Sequence, residues 1–353
     1  MERKTKQIMV GGVAIGGGAP LSIQSMTNTK TTDAEATLCQ LHRLKEAGCH
    51  VARLTVPDEK AARAFGRIRR DSPLPLVADI HFDYKAAIWA AEEGADKIRI
   101  NPGNIGSDEK VGEVVRACRK QGIPIRIGVN GGSLEKDILR KYGAPTAEAL
   151  VESAMSHVEK LHRWDFDHIC ISLKSSDVKT NIAAYRLMAE KTDYPLHLGV
   201  TEAGTRYMGT LKSAAAFGAL LLDGIGDTLR VSLTADPVRE VYAAKDILKA
   251  LGLNREGATL VSCPTCGRTQ VDLIPIAEEV EQRLSGLKSR ITVAVMGCAV
   301  NGPGEARQAD LGVACGKGEG LLFSKGEILC KVPAREIADA LAKEVSRLTG
   351  EQI

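Results

Sequence analysis

Between about residue 20 and residue 250 the chain repeats one cadence: an apolar–polar run, a helical stretch, a Gly or Pro turn, then the next run. Glu46-Ala47-Gly48-Cys49, Glu92-Glu93-Gly94-Ala95 and Lys120-Gln121-Gly122-Ile123 mark the turns. Eight strands are predicted, at 21–26, 51–56, 76–82, 97–101, 124–130, 169–174, 196–202 and 229–233. Strands separated by helices run parallel, because the helix carries the chain back to the starting edge. Eight such units predict a closed (β/α)8 TIM barrel over residues 1–253, with a doubly wound open sheet as the alternative.

Leu253-Asn254-Arg255-Glu256-Gly257 reads as a linker. Beyond it, residues 258–353 form a smaller α/β unit. Strands are predicted at 291–296 and 311–315, with a hairpin of 320–323 and 328–332 closed by Ser324-Lys325-Gly326-Glu327. Pro333 opens a last helix with Ile337, Leu341, Val345 and Leu348 along one side. A chain of 353 residues suits two domains, and its hydrophobic content of 44% is ordinary for a folded protein. No apolar run reaches the ~18 residues that span a membrane. The charged start, Met1 to Gln7, does not read as a signal peptide, so a cytoplasmic protein is expected. A net charge of +3 is too small to point to nucleic acid.

The period of two sorts each barrel strand into faces. One face carries Val51, Arg53 and Thr55; Val77, Asp79 and His81; Lys97, Arg99 and Asn101; Arg126, Gly128 and Asn130; Cys170, Ser172 and Lys174; His197, Gly199 and Thr201; Arg230 and Ser232. The other face is continuously apolar and belongs against the helices, so the polar face points into the lumen. Such a lumen usually holds branched aliphatic side chains. Here six cations, Arg53, Lys97, Arg99, Arg126, Lys174 and Arg230, face one obvious acid, Asp79. Buried like charges need counter-charge. A phosphorylated or diphosphorylated ligand at the C-terminal mouth would supply it, and guanidinium forks suit phosphate oxygens. The bland alternative is ion pairing to loop carboxylates or a place at the barrel's bottom edge, favoured for Lys97 because it stands early in its strand. His81 and His197 face the lumen, whereas His42, His50 and His162 read as surface or packing residues. Glu202, ending the seventh strand in Gly-Val-Thr-Glu-Ala-Gly, is placed for acid–base chemistry or for pairing a lumen arginine. The glycines at 16–18 lack the strand–turn–helix setting of a dinucleotide fingerprint.

The small unit carries Ser-Cys-Pro-Thr-Cys-Gly-Arg-Thr at 262–269 and Met-Gly-Cys-Ala-Val-Asn-Gly-Pro-Gly-Glu at 296–305. The spacing is C-x2-C, 31 residues, then C-x6-E. Cys263 and Cys266 can converge on one centre, and Cys298 ties a distant segment to it, which describes a metal or iron–sulfur site. Zinc is the structural alternative, disfavoured because no histidine follows His197. Spacing alone leaves Glu305, Cys315 and Cys330 as candidates for the fourth ligand. Cys39, Cys49, Cys118 and Cys170 read as packed thiols.

These residues carry a resemblance. The two cysteine segments are similar to signatures of the 4-hydroxy-3-methylbut-2-en-1-yl diphosphate synthase family. Ser-Ile-Gln-Ser-Met-Thr-Asn-Thr at 22–29, Asp-Ile-His-Phe at 79–82, Arg-Ile-Asn-Pro-Gly-Asn at 99–104, Arg-Ile-Gly-Val-Asn at 126–130, Ser-Leu-Lys-Ser-Ser at 172–176 and Gly-Val-Thr-Glu-Ala-Gly at 199–204 agree. The resemblance covers essentially the whole chain and is to the two-domain bacterial form. It implies an oxidoreductase of the non-mevalonate isoprenoid pathway that opens 2-C-methyl-D-erythritol 2,4-cyclodiphosphate with two electrons and removes a hydroxyl as water. It implies a [4Fe–4S] cluster on Cys263, Cys266, Cys298 and Glu305, and diphosphate contacts from Arg53, Arg99, Arg126, Asn130 and Lys174. It also implies Glu202 as proton donor, Asn301 as a substrate contact beside the cluster, a flavodoxin or ferredoxin as electron donor, and a homodimer.

Overall fold

The structure, a computed structural model, describes residues 3–254, 256–298, 306 and 308–353. The chain divides into two compact units, Met1–Leu251 and Gly252–Ile353. The division thus falls slightly before the linker expected from sequence, at a glycine with φ of +69°.

The first unit opens with a hairpin, β1 (Ile8–Val10) and β2 (Val13–Ile15). Eight parallel strands follow: β3 (Ser22–Met26), β4 (Val51–Thr55), β5 (Leu76–Asp79), β6 (Lys97–Ile100), β7 (Ile125–Asn130), β8 (Ile169–Lys174), β9 (His197–Leu198) and β10 (Thr228–Leu229). Their order is β8-β7-β6-β5-β4-β3-β10-β9, and an Ile171–Leu196 bridge joins the two ends, so the predicted barrel is closed. Each connection has its own local signals. The side chains of Asp33, Asp58, Asp83, Thr146, Asp177 and Asp236 cap helix N-termini by accepting first-turn amides. Gly48, Gly94 and Gly122 take positive φ where helices turn into the next strand.

The alternation reads as expected. Ala52, Leu54, Leu76, Ala78, Ile98, Ile100, Ile125, Ile127, Ile169 and Ile171 all join the layer between strands and helices. The lumen floor is separate: Ile8, Val10 and Ile15 of the hairpin pack on Val51, Val77 and Cys170. This plug was not expected, because a glycine-rich stretch hides two strands too short to show alternation.

Several expectations need correction. The strands predicted at 196–202 and 229–233 keep ladder pairing only over His197–Leu198 and Thr228–Leu229. Side chains take over the backbone groups there: Glu240 accepts from Leu233 N–H at 3.0 Å, and Tyr185 and Asn181 occupy the seam between β8 and β9. The strand predicted at 76–82 ends at Asp79, and Phe82 beyond it is exposed. Cys39 is exposed, while Cys49, Cys118 and Cys170 are buried as expected.

The second unit is a five-stranded sheet in the order β11 (Ala258–Ser262), β12 (Ile291–Met296), β13 (Leu311–Cys315), β14 (Glu319–Ser324), β15 (Glu327–Pro333). The first three strands are parallel and the last three antiparallel. The helices Leu273–Leu284 and Ile337–Thr349 pack on one face through Leu273, Val280, Leu284, Ile337, Leu341 and Val345. Leu348, expected on that apolar side, is 42% exposed. β11 was not predicted. Among the described residues no helix is long and apolar enough to cross a membrane.

Candidate active site

The lumen is layered. In register with Val51, Val77 and Cys170 of the plug stand Gln24, Lys97 and Arg126; these and His197 are all 0–1% exposed. No partner among the described residues reaches the side-chain nitrogens of these four. Lys97 thus has no loop carboxylate among the described residues, but it opens β6 in register with Val77 of the floor, in keeping with the expected place at the barrel's bottom edge. Burial pushes its ammonium down to about 8, with Arg126 and Arg53 adding to the effect and the Cys170 thiol opposing it. Burial likewise lowers Arg126 to about 10, helped by Arg99. His197 is driven well below its ordinary value by burial and by Arg126, Lys174 and Lys97. It is a neutral imidazole at physiological pH.

Toward the C-terminal strand ends stand Arg53, Asp79, Arg99, Lys174 and Arg230. Asp79 Oδ1 accepts from Arg99 Nη1 at 3.0 Å, and Asp79 Oδ2 lies 3.6 Å from Arg53 Nε. Burial alone would raise the Asp79 carboxyl, but Arg53 and Arg99 hold it well below the usual carboxylate range. One acid thus organises two guanidinium groups. Arg53 also donates to Met26 Sδ, at 2.9 Å from Nη2. Gly128 makes room for Arg99, since a Cβ there would stand 2.5 Å from Arg99 Nε. Gly199 makes room for Lys174 in the same way, with 3.0 Å to Cε and 3.2 Å to Nζ. Burial and the four surrounding arginines drive Lys174 well below its ordinary value.

Arg230 has a carboxylate of its own, unlike Arg53 and Arg99, which share Asp79. Glu240 forks onto it, Oε2 to Nε and Oε1 to Nη2, both at 3.1 Å. Glu240 is 3% exposed and was missed from sequence. The signal was present: it occupies an inward position of the helix Pro237–Ala250 with Pro237, Val241, Ala244 and Ile247. A carboxylate on an apolar helix face calls for a buried cation. Arg230 being so paired, it does not supply a role for Glu202. Glu202 is exposed just past β9 with φ of +50°, a left-handed conformation that costs a side-chain-bearing residue about 1–3 kcal/mol. Asn130 ends β7, half-buried. His81 Nε2 lies 3.9 Å from Asp79 Oδ2.

In the second unit, three adjacent parallel strands bring cysteines to one sheet edge. β11 leads directly into Cys263, β12 leads through Gly297 to Cys298, and β13 ends in Cys315. The registers Ser262–Val295 and Met296–Ala314 place these ends side by side. Gly297 N–H donates to Cys263 Sγ at 3.2 Å. The turn after Cys263 folds back through Cys266 N–H to Thr269 Oγ1 at 3.1 Å and Gln270 N–H to Gly297 O at 3.0 Å. Hydrogen bonds from the Arg268 backbone and side chain lower the Cys266 thiol, favouring thiolate. Cys315 is buried and pushed up to about 11 by burial and by Cys263 and Cys298, which resists its ionisation. Cys330 is exposed on β15, on the far side of β14 from the strand-end cysteines. Among the described residues no three His, Cys, Asp or Glu side chains are gathered to hold a metal ion. The donors at this edge nonetheless fit thiolate-ligated iron: strand-end sulfurs, an N–H···S bond and an acidified thiol. Glu305 and Asn301 lie outside the described residues.

The family model described as the GcpE TIM-barrel domain matches residues 5–245, and that of the GcpE protein C-terminal domain matches 259–347. A curated protein of Geobacter sulfurreducens, 4-hydroxy-3-methylbut-2-en-1-yl diphosphate synthase (flavodoxin), is 60% identical over 352 residues, covering 100% of both chains. Its namesake in Anoxybacillus flavithermus is 57% identical over 99% of this chain and 96% of its own. Among solved structures, an N-acetylneuraminic acid synthetase from Leptospira borgpetersenii superposes with a TM-score of 0.50 at 13% identity, covering 70% of this chain and 90% of its own. That likeness reports the barrel fold alone. With both domain models matched and full-length relatives at this identity, the chain belongs to the GcpE family.

Proposed function

We propose that this protein is an iron–sulfur oxidoreductase that converts 2-C-methyl-D-erythritol 2,4-cyclodiphosphate to 4-hydroxy-3-methylbut-2-enyl diphosphate in the non-mevalonate isoprenoid pathway. The names of its relatives support the activity. The observation in the molecule that carries it is the lumen charge: Arg126 is fully buried with its guanidinium nitrogens unpartnered among the described residues, and Asp79 is already committed to Arg53 and Arg99. A diphosphate is the counter-charge such a site requires.

The substrate's diphosphate oxygens are held by Arg126, Lys174, Arg99 and Arg53, with Asn130 at the rim. Asp79 keeps Arg53 and Arg99 oriented before the ligand arrives, so less ordering is left to binding. Glu202 holds on its carboxyl the proton taken by the departing hydroxyl, which leaves as water. Its left-handed backbone is consistent with a residue held for chemistry. Cys263, Cys266, Cys298 and Glu305 would hold a [4Fe–4S] cluster, which supplies electrons singly so that C–O cleavage needs no strong base. Asn301 would contact the substrate beside it. The electron donor is a flavodoxin, in keeping with the relatives' names. The working form is a cytoplasmic homodimer.

The test is anaerobic purification followed by iron and sulfide analysis and turnover. About four irons and four sulfides per chain are expected, as a four-iron cluster requires. Serine at Cys263, Cys266 and Cys298 together should abolish both iron content and turnover. Normal iron in that triple variant would overturn the ligand assignment.

A further inference from the structure

Lys174 ends β8, and the strand beside it is β9. Every other seam of the barrel is joined by at least two laddered residue pairs, but β8 and β9 share only the Ile171–Leu196 bridge. Above that bridge two side chains of the helix Val178–Lys191 replace the ladder. Tyr185 Oη accepts from Leu173 N–H at 3.1 Å and donates to the His197 carbonyl at 2.5 Å. Asn181 Nδ2 donates to the carbonyls of Leu173 and Gly199, each at 3.2 Å. Both main-chain groups of Leu173 are therefore taken by one helix. Tyr185 and Asn181 stand four residues apart on the same helix face and are 0% exposed. Among the described residues, the next direct backbone hydrogen bond between the two segments is Thr201 N–H to the Ser175 carbonyl at 3.4 Å.

Backbone donors and acceptors on neighbouring parallel strands pair with each other unless something intervenes. Here a phenol and an amide intervene and satisfy the same groups. On the lumen side of this seam the Lys174 side chain lies against Gly199, so close that a Cβ there would touch Cε and Nζ. Closing the ladder would carry β9 into that space.

We propose that Tyr185 and Asn181 are positioning residues for substrate binding: as a wedge between β8 and β9 they create the berth that aims the Lys174 ammonium at the phosphate. The proposal rests on Lys174 being a phosphate ligand, and the test separates the two. Tyr185→Phe keeps the ring and removes the hydroxyl, leaving Leu173 N–H and the His197 carbonyl to seek each other. Dissociation constants for the cyclodiphosphate are measured by calorimetry on the iron-loaded protein for wild type, Tyr185→Phe, Lys174→Met and the double variant, with melting temperatures alongside. Lys174→Met should weaken binding by at least about tenfold; no change there would sink the phosphate assignment itself. Given that loss, Tyr185→Phe should weaken binding about tenfold in wild type and less than about twofold when Lys174 is already Met, because the two act as one unit. Equal weakening in both backgrounds, or a lower melting temperature with unchanged affinity, would overturn the wedge. Should the Phe variant not fold, Asn181→Ser enters the same cycle with the same expectations.

Discussion

Asp79 and Arg126 present opposite cases of buried charge. Asp79 touches two guanidinium groups, so Asp79→Asn leaves Arg53 and Arg99 facing each other without their shared carboxylate. Breaking a buried pair in this way costs about 3–5 kcal/mol, which denaturant unfolding of the variant should show. The pH dependence has a definite sign. The Asp79 carboxyl is lowered in the folded state, so its stabilisation is present above the unfolded aspartate value near 3.9 and is lost as pH falls through the folded one. That acid-side loss should be smaller in the Asn variant. Arg126 has no such partner among the described residues, and its burial is a standing penalty in the free protein. Arg126→Met should therefore leave the melting temperature of the substrate-free protein unchanged or higher. The same variant should weaken cyclodiphosphate binding by roughly 1.5–3 kcal/mol or more, measured by calorimetry. A destabilised Met variant with normal affinity would mark Arg126 as a structural residue.

The strands and helices divide the work between folding and binding. The outward strand face and the capped helices are ordinary barrel construction; alternation sorted the faces and the Gly turns marked the helix ends, whereas the capping aspartates were not read from the sequence. What could not be read was decided by side chains from other elements. Glu240 and Tyr185 shorten β10 and β9 by taking backbone hydrogen bonds, and nothing in residues 196–202 or 229–233 reports that. The N-terminal hairpin escaped notice because its strands have three residues each. The cysteine spacing was legible, but the reason it works was not, since that needs the unpredicted β11 beside β12 and β13. The hairpin offers a clean check on the layering. Ile15 is 0% exposed in the floor plug, so Ile15→Ala should cost about 2–5 kcal/mol of stability. Substrate affinity of the folded variant should stay within twofold (roughly 0.4 kcal/mol), because the polar layer separates the plug from the mouth.

Taken whole, the molecule pairs a cation-lined barrel with a domain whose sulfurs gather at one sheet edge. The barrel alone predicts a linkage between binding and protons. Burial lowers Lys97 to about 8, so near pH 8 to 9 part of its charge is missing from the free protein; burial and the surrounding arginines lower Lys174 as well. A diphosphate in the lumen favours the ammonium forms, so binding takes up protons, and through Lys97 affinity falls as pH rises through that range. Calorimetry in two buffers of different ionisation enthalpy at pH 8.5 should show net proton uptake. Absence of uptake would mean that Lys97 is already charged in the free protein.

Single-turnover reduction joins the two halves. Anaerobically prepared, iron-loaded protein is mixed with reduced flavodoxin and 2-C-methyl-D-erythritol 2,4-cyclodiphosphate, and the products are followed by mass spectrometry. Wild type should yield 4-hydroxy-3-methylbut-2-enyl diphosphate, while Arg126→Met with the same iron content should yield little or none at subsaturating substrate. Failure of the iron-loaded wild type to convert the cyclodiphosphate, or wild-type yield from the Met variant, would contradict a site in which lumen cations hold the substrate for reduction.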